Sequence, residues 1–557
     1  MSIASTTGAP ADARSRNKNA MVIGASSLGT VFEWYDFYIF GTLAAIMGKH
    51  FFEAPGINET TAFIFALLAF AAGFVVRPFG AVVFGRIGDM VGRKYTFLVT
   101  MGLMGIATFL VGVLPTYAQI GILAPVILIG LRLLQGLAMG GEYGGAATYV
   151  AEHAPEGKRG FFTSWIQTTA TLGLFLALAV IGTTRVIVGE EAFLDWGWRV
   201  PFLFSMLLLG VSLWIRMQLE ESPVFKEMKS SGKASKAPLA DSFGKWSNLK
   251  IVLLALFGLV MGQGVVWYTG QFYALYFLEK MLKVDGLTTY TMIAISLALA
   301  TPGFVFFGWL SDKIGRKPII LAGLALAIAT YFPLFQALTA AVNPALAEAQ
   351  RNAPVTVVAD SSACAAQFDP VGKAKFLQSC DIAKSYLAKA GISYENAAAP
   401  AGSVAQIRVG DTVVASYEGA GLSGDAAKAA ADAFKARIGD TLKAAGYPAS
   451  ADKAAINMPV AIAILWLLVI YVTMVYGPIA AALVELFPTR IRYTSMSLPY
   501  HIGNGWFGGL LPSITFAIVA TSGNIYQGLW YPIIIAGITL VIGLFFVPET
   551  RNRPITD

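Results

Sequence analysis

Twelve long apolar stretches constrain the fold of this chain more than any other feature of its sequence. They cover residues 21–47, 60–84, 96–114, 118–150, 162–184, 200–217, 251–278, 289–310, 318–339, 458–484, 495–520 and 530–547, here called spans 1 to 12. An α-helix needs about 20 apolar residues to cross the hydrocarbon core of a bilayer. The sequence therefore predicts an all-α membrane protein with twelve transmembrane helices.

The composition excludes an ordinary soluble enzyme. Only 13% of the residues are charged, whereas a soluble domain carries about 25%. We find no nucleophile–histidine pair or nucleotide-binding loop, so we expect no enzymatic activity. Three histidines and two cysteines leave little for a metal site, and we expect neither a metal nor a cofactor.

The basic residues indicate how the chain is oriented. The short loops on the side of the N-terminus hold 21 Lys and Arg residues, against four or five on the other side. By the positive-inside rule, both termini are expected in the cytoplasm. The apolar run from Ala20 to Met47 is too long for a cleaved secretory leader, so it predicts an uncleaved first helix. Because the basic charge serves orientation, we expect no nucleic-acid partner.

Two pairs of motifs show an internal repeat. Residues 85–94 and 308–317 both read G-x-x-x-D-x-x-G-R-K, 223 residues apart. Residues 152–159 and 485–492 both read E-x-x-P-x-x-x-R, 333 residues apart. The motifs predict two six-helix halves, and the difference between their offsets predicts an insertion of about 110 residues between spans 9 and 10.

The repeat also predicts the domain boundaries. We expect an N-terminal six-helix bundle at 1–218, a cytoplasmic linker at 219–250, and a C-terminal bundle formed by 251–340 and 457–557. An extracytoplasmic α+β insertion covers 341–456, with helices at 371–390 and 425–445 and a hairpin of 404–409 with 412–417. Its two cysteines, Cys364 and Cys380, predict a disulfide in an oxidising compartment, or else two packed thiols.

A few charged residues fall inside the apolar spans, where they are costly and therefore candidates for function. They are Glu33, Asp36, Arg77, Arg132 and Glu142. Glu33 and Asp36 share one face of span 1, and we expect Asp36, with Glu33 as the alternative, to bind a coupling proton. Arg132 can hold a carboxylate with two parallel hydrogen bonds. The alternative is a static ion pair between spans 1 and 4.

The remaining candidate binding residues are polar or aromatic. They are Gln135 on span 4 with Gln263, Trp267, Tyr268, Gln271 and Asn504 in the C-terminal half. Gln263, Trp267 and Gln271 are spaced four apart and share a face of span 7. Such residues could orient a small polar ligand or surround a quaternary ammonium group. Packing between helices is the alternative for each aromatic side chain.

These motifs resemble the major facilitator superfamily. The segments at 33–37 (EWYDF), 77–80 (RPFG), 132–136 (RLLQG), 140–142 (GGE), 198–202 (WRVPF) and 485–493 (ELFPTRIRY) also resemble the bacterial metabolite:H⁺ symporter family. The resemblance implies a monomeric carrier in the bacterial inner membrane with two six-helix bundles. The family includes carriers of 2-oxoglutarate, citrate, shikimate, proline and betaine.

The resemblance also implies roles for particular residues. Asp36 matches the proton-binding Asp in the first helix of proton-coupled sugar porters, and Arg132 matches its arginine partner. Asp89 would contact the N-terminus of the eleventh helix. The resemblance implies that a cytoplasmic ion-pair network controls gating, formed by Asp89, Arg93, Glu152, Arg159, Asp312, Arg316, Glu485 and Arg492. The alternative is that these loops only orient the chain.

We therefore expect proton-coupled symport of a small carboxylate-bearing metabolite by alternating access. Two arginines within the spans favour an organic acid, and the sequence up to Asp557 lacks the coiled-coil tail of the osmosensory branch. A proline or betaine symporter is the alternative. A drug:H⁺ antiporter is disfavoured because span 5 contains no proline, and a nutrient sensor because the predicted cytoplasmic segments are short. The expected partners are the substrate, protons and the lipid bilayer.

Overall fold

The computed structural model describes residues 10–53, 59–218, 220–360, 362, 364, 376–551 and 553–555. The N-terminal half contains helices α1 Pro10–Thr42, α2 Glu59–Met90, α3 Arg93–Val113, α4 Leu123–His153, α5 Arg159–Val188 and α6 Arg199–Met217. The C-terminal half contains α7 Trp246–Met281, α8 Gly286–Ile314, α9 Arg316–Val342, α10 Met458–Leu486, α11 at 492–522 and α12 Gln527–Phe546. Among the described residues, nine of these helices are long and apolar enough to cross a membrane, namely α3–α10 and α12. The predicted fold of two six-helix bundles is confirmed.

Several helices extend beyond the predicted spans. The helix α1 begins at Pro10 rather than near residue 21, and α4 continues to His153. Apolar length predicts only the part of a helix inside the bilayer, so polar turns at either end were missed. The predicted linker contains a further short helix, Pro223–Ser230.

Helices α7 and α11 are both interrupted by π turns. These lie at Leu256–Val260, Thr269–Tyr273 and Phe277–Met281 in α7 and at Gly503–Gly508 in α11. The two helices also approach closely, since a Cβ on Gly264 would lie 2.7 Å from the Gly503 carbonyl oxygen. Such turns are frequent at functional sites, and here they lie beside the interface between the halves.

The two halves meet along equivalent helix pairs. Helix α2 packs on α11, and α5 packs on α8. We call the end of the bundle with the α2–α3 and α8–α9 loops the motif end, and the opposite end the insertion end. The repeat in the sequence is therefore also a repeat in the packing between the halves.

The insertion is a small α+β domain between α9 and α10. It contains strands β1 Val355–Ala359, β2 Tyr394–Ala398, β3 Gln406–Val409 and β4 Thr412–Ala415, with helices Pro344–Asn352, Ser379–Ala390 and Gly424–Ala444. The strand order is β2-β1-β3-β4. Strand β1 runs parallel to β2 and antiparallel to β3, and β3 and β4 form a hairpin.

Part of the insertion was predicted correctly. The hairpin and the second helix are present. The first helix begins at Ser379, because Gln378 before it is extended, and residues 371–375 of that prediction lie outside the described residues. Strands β1 and β2 were not predicted, since parallel strands are joined by a long crossover and leave no local turn signal.

Cys364 and Cys380 are joined by a disulfide, with their Cα atoms 5.5 Å apart.

The insertion rests on the C-terminal half. The Tyr394 N–H donates to the Gly523 carbonyl at 2.5 Å, in the α11–α12 loop, and the Ala451 N–H donates to the Lys283 carbonyl at 3.0 Å, just beyond α7. Gly391 packs so closely on the end of α7 that a Cβ there would lie 2.2 Å from a carbonyl oxygen. These contacts tie the domain to the insertion end of α7 and α11.

Candidate functional site

The first repeat motif joins the two halves at the motif end. The Asp89 carboxylate accepts hydrogen bonds from the N–H groups of Tyr493 (3.2 Å) and Thr494 (2.8 Å), in the first turn of α11. The Arg93 guanidinium donates to Asp89 and to the Thr489 carbonyl, both at 2.9 Å. An acid at a helix N-terminus is stabilised by the unpaired N–H groups and the helix dipole. Asp89 therefore holds α11 against α2.

Glu152 extends this network across the interface. Its carboxylate accepts a hydrogen bond from Arg492 on α11 at 2.8 Å and lies 3.7 Å from Arg93 on α3. The Ser222 hydroxyl also donates to it. Two acids and two arginines thus form one buried cluster with balanced charge.

The second repeat motif makes the equivalent contacts. The Asp312 carboxylate accepts hydrogen bonds from the N–H groups of Gly160 and Phe161, both at 2.8 Å, in the first turn of α5. The Arg316 guanidinium donates to Asp312 at 2.6 Å and to Glu485 at 3.0 Å. Asp312 thus holds the N-terminus of α5 against α8, as Asp89 holds the N-terminus of α11 against α2.

The two networks match position by position. Arg159 lies 3.5 Å from Glu485, as Arg492 lies beside Glu152. All eight residues that the sequence analysis assigned to gating lie in these two networks, and all are buried. Their contacts close the motif end, and their role in gating stays a prediction.

Two further acids support the motif end and were not predicted. Glu221 accepts a hydrogen bond from the Lys94 N–H at 3.1 Å, at the start of α3. Glu549 accepts from the Arg316 and Lys317 N–H groups, both at 3.0 Å, at the start of α9. Each acid follows the last helix of its half, a repeated position that could have identified them.

A small cavity lies between the halves. Its volume is about 40 Å³, which holds about three water molecules at roughly 10–15 Å³ each. It is lined by Thr30, Glu33, Trp34, Arg77, Met139, Glu142, Tyr143, Trp267, Tyr268, Tyr476, Tyr500, His501 and Asn504. Both halves contribute, so a metabolite binding here would contact both.

The predicted binding residues divide into two groups. Those that line the cavity are Glu33, Arg77, Glu142, Trp267, Tyr268 and Asn504. Those outside its lining are Asp36, Arg132, Gln135, Gln263 and Gln271. The amide groups of Gln263 and Asn504 pair at 3.0 and 3.1 Å, which joins α7 to α11 beside the cavity.

Aromatic rings close the cavity across the interface. The Tyr143 ring stacks on Tyr500 with centroids 3.5 Å apart, and the Tyr500 hydroxyl lies 2.6 Å from that of Tyr476. The Trp34 and Trp267 rings lie 6.2 Å apart. Separating the halves would part these rings, so the cavity and the interface must open together.

Arg77 is the arginine of the cavity. Its side chain is 5% exposed, and its guanidinium lies 4.3 Å from the Phe74 ring centroid and 4.9 Å from that of Phe37. Its Nη2 atom donates to the Met139 sulfur at 3.4 Å. Among the described residues no carboxylate oxygen lies within 4.0 Å of it, so cation–π contacts and the bond to the Met139 sulfur offset only part of the cost of its burial. This arrangement suits an anionic group of a ligand.

A further buried arginine, beside the acids of the cavity, was not predicted. Arg216 donates from Nη1 and Nη2 to Glu142 Oε1, both at 3.2 Å, and its Nη1 lies 4.0 Å from Glu33 Oε1. The Thr100 hydroxyl donates to the other oxygen of Glu142 at 3.0 Å. Gly29 makes room for this arginine, because a Cβ there would lie 2.0 Å from Nη2.

Asp36 and Arg132 are linked only indirectly. Arg132 donates to Gln135 at 2.6 Å and Gln135 donates to Thr108 at 2.7 Å. The Thr108 hydroxyl itself donates to the Met104 carbonyl at 2.9 Å and lies near Asp36. The two charged groups do not approach within 4.0 Å. The roles that the resemblance implies for Asp36 and Arg132 stay predictions.

Tyr143 and Tyr476 also line the cavity without having been predicted. Tyr143 directly follows Glu142, a position that could have suggested it, whereas Tyr476 lies in a strongly apolar span and carries no signal. Over the part of the chain that the structure describes, no three His, Cys, Asp or Glu side chains are grouped to hold a metal ion.

Comparisons with known proteins agree with this architecture. The sequence model of the family described as "Sugar (and other) transporter" matches residues 21–247 and 441–557, and that described as "MFS/sugar transport protein" matches 145–359. A solved structure of a proton:xylose symporter of the major facilitator superfamily superposes with a TM-score of 0.63 and 15% identity, covering 97% of this chain and 98% of that one. The structural likeness supports the fold.

Two curated relatives are closer in sequence. The proline/betaine transporter of Salmonella typhimurium is 36% identical over 328 residues, which are 56% of this chain and 63% of that protein. The shikimate transporter of Escherichia coli is 36% identical over 327 residues, which are 57% of this chain and 72% of that protein. The predicted resemblance to a family of membrane transporters is confirmed. The chain therefore belongs to the sugar (and other) transporter family within the major facilitator superfamily.

Proposed function

We propose that this protein takes up a small carboxylate-bearing metabolite, an organic acid, together with protons by alternating access. The observation that carries the proposal is Arg77, a buried cation in the cavity between the halves. A guanidinium can hold a carboxylate with two parallel hydrogen bonds. A bound carboxylate would also supply the counter-charge that Arg77 lacks among the described residues.

Buried acids in the same cavity support coupling to protons. Glu33 and Glu142 both line it, and both are less than 5% exposed. A carboxyl group in a low-dielectric site favours its protonated form, and a nearby charge shifts that preference. Binding of an anion and of a proton in one small cavity can therefore depend on each other.

The two motif-end networks support alternating access. Each joins one half to the other through buried charged hydrogen bonds, which must break when that end opens. The basic loops support a cytoplasmic position for the motif end and both termini, and an extracytoplasmic position for the insertion, in a bacterial inner membrane. Cavity and networks form within one chain, so we propose that a monomer transports.

A second candidate is an osmolyte symporter for proline or betaine. Six aromatic side chains line the cavity, among them Trp34, Trp267 and Tyr268. Aromatic faces bind quaternary ammonium groups through cation–π contacts, and Glu33 or Glu142 could balance such a charge. The Salmonella relative is named a proline/betaine transporter, and this similarity is why proline and betaine are proposed as the osmolytes.

Transport by the purified protein in liposomes tests the proposal. With an acidic exterior, we expect accumulation of at least one radiolabelled organic acid among shikimate, citrate and 2-oxoglutarate. If one proton accompanies a monovalent anion, one pH unit supports about tenfold accumulation, since it is worth about 1.4 kcal/mol. A protonophore should abolish it. Accumulation of betaine or proline alone would select the second candidate, and proton-independent uptake would contradict the coupling.

Deleting residues 345–455 is expected to leave a folded carrier with uptake. The Asn457 N–H donates to the Ala341 carbonyl at 2.8 Å, so a short Gly/Ser bridge can join α9 to α10. Membrane levels by immunoblot and uptake in cells measure the outcome. The control carries the same bridge inserted in the exposed turn at 400–402 of the full-length protein. Loss of uptake at normal membrane levels, in the deletion alone, would mean that the insertion takes part in transport.

A further inference from the structure

In the described structure, Glu33 and Glu142 lie beside a single arginine, so their cluster contains more acid than base. Arg216 contacts Glu142 at 3.2 Å and Glu33 at 4.0 Å, and the two carboxyl groups lie within hydrogen-bonding reach of each other. The three side chains come from α1, α4 and α6, and none is more than 5% exposed. With both acids ionised, the cluster would carry one excess negative charge.

The motif-end networks do not have this excess. Each of them pairs two acids with two arginines, so neither needs a proton to be neutral. In the Glu33–Glu142 cluster, by contrast, two neighbouring carboxylates resist ionising together, and an uncompensated buried charge is costly. Within the part of the chain that the structure describes, the Glu33 Oε1 atom has no hydrogen-bond partner, and Glu33 and Glu142 both line the cavity. A proton can therefore reach the cluster from cavity water.

We propose that Glu33 and Glu142 share one exchangeable proton beside Arg216, and that this is the proton that drives uptake. The inference rests on the proposed function and moves the coupling site away from Asp36. When the proton leaves to water, one carboxylate stays paired with Arg216 and the other becomes the excess charge. Asp36 instead lies beside Thr108, in the chain of polar groups that leads to Arg132.

Charge balance explains how this proton would couple to an anion. Among the described residues, the buried charged groups of the N-terminal half outside the two motif-end networks are Glu33, Asp36, Glu142, Arg77, Arg132 and Arg216. Fully ionised, the acids and arginines cancel. A proton on the glutamate pair adds one positive charge, and a carboxylate at Arg77 adds one negative charge in the same cavity. Each favours the other's binding, which is the reciprocal coupling that symport requires.

Other groups face the pair from the surrounding helices. Thr100 on α3 donates to Glu142, and Tyr493 on α11 reaches the neighbouring Gly141 carbonyl with its hydroxyl. Asp36 lies one turn from Glu33 on α1, and Arg77 and His501 line the same cavity. Arg216 differs from these groups because it contacts both carboxyl groups, so the pair and this arginine form the unit to be tested.

The test compares Glu33→Gln and Glu142→Gln in proteoliposomes, with the organic acid that the wild-type protein accumulates. Either change leaves one carboxylate paired with Arg216 and removes the proton site. Exchange of labelled for unlabelled substrate needs no net proton movement and should therefore continue in both variants, even where a change in the cavity lining alters its rate. Accumulation under one pH unit should fall from about tenfold to about onefold. Glu227→Gln, on the exposed linker helix, is the matched control.

The outcomes separate this inference from the proposed function. If the wild type accumulates no carboxylate, the proposed function fails. If the wild type accumulates and either glutamine variant does so as well, the shared-proton site is wrong. Loss of accumulation in Asp36→Asn, with both glutamine variants active, would assign the proton to Asp36. Because the two glutamine variants should behave alike, failure of one to fold leaves the other as the test.

Infrared spectroscopy gives a readout that needs no substrate. The purified wild-type protein should show a protonated carboxyl band that disappears as the pH is raised, and this band should be absent from Glu33→Gln and from Glu142→Gln. Asp36→Asn should retain it. A wild-type protein without such a band, or a band retained in both glutamine variants, would overturn the proposal.

Discussion

Asp89→Asn is expected to shift the equilibrium between the closed and the open motif end toward the open state by about ten- to 150-fold. The carboxylate accepts two backbone hydrogen bonds from the first turn of α11 and pairs with Arg93. Asparagine keeps the shape but loses the charge, and hydrogen bonds to charged groups contribute about 1.5–3 kcal/mol, with each 1.4 kcal/mol equal to tenfold. Because the two bonds to α11 join the halves, their weakening falls on the closed state alone.

A cysteine at position 148 can report this shift. Thr148 is fully buried, and its hydroxyl donates across the interface to the Met496 sulfur at 3.3 Å. Since Cys364 and Cys380 are bonded to each other, Thr148→Cys supplies the reactive thiol. Its labelling by an impermeant maleimide, applied from the motif end, should accelerate in the Asp89→Asn background.

Two further variants decide what the acceleration means. Asp312→Asn should produce the same effect, because Asp312 makes the equivalent contacts with α5. Glu227→Gln removes an exposed acid at the same end and should leave labelling unchanged. Substrate affinity should change less than about threefold in Asp89→Asn, since Asp89 does not line the cavity. Unchanged labelling in both motif variants would mean that the motifs only orient the chain.

The helices could be predicted because each is a local property of the sequence. A membrane-spanning helix needs an unbroken apolar stretch of a certain length, and the repeated motifs placed these stretches in two halves. Where the helices end outside the bilayer could not be predicted, as α1 and α4 illustrate. The parallel pairing of β1 with β2 joins segments 39 residues apart and has no local signal.

The charged residues of the site could be predicted, but not their partners. Glu33, Arg77 and Glu142 were identified because a charge inside a span is costly. Arg216 was missed because it stands at the end of span 6, where a basic side chain ordinarily reaches the membrane surface. Its side chain is buried because Gly29 on α1 has no Cβ and leaves room for the guanidinium. Which arginine faces which acid is decided by packing between helices, which no sequence pattern indicates.

Arg77→Lys is expected to weaken substrate binding by about 10- to 150-fold. Lysine keeps the positive charge but cannot offer two parallel hydrogen bonds to a carboxylate. The lost charged hydrogen bond corresponds to about 1.5–3 kcal/mol. Trp34 and Trp267 line the same cavity, so the change in intrinsic fluorescence on addition of the organic acid measures the dissociation constant.

Arg132→Lys is the matched comparison, because it makes the same chemical change at the arginine that the sequence favoured. Arg132 is equally buried, but it lies outside the cavity lining and donates to Gln135. A carboxylate seated at Arg77 should lose affinity in Arg77→Lys and change less than about threefold in Arg132→Lys. The opposite pattern would place the carboxylate at Arg132 and require a cavity that opens further into the N-terminal half. Equal losses would mean that both arginines contact the substrate, which a dicarboxylate could explain and a monocarboxylate could not.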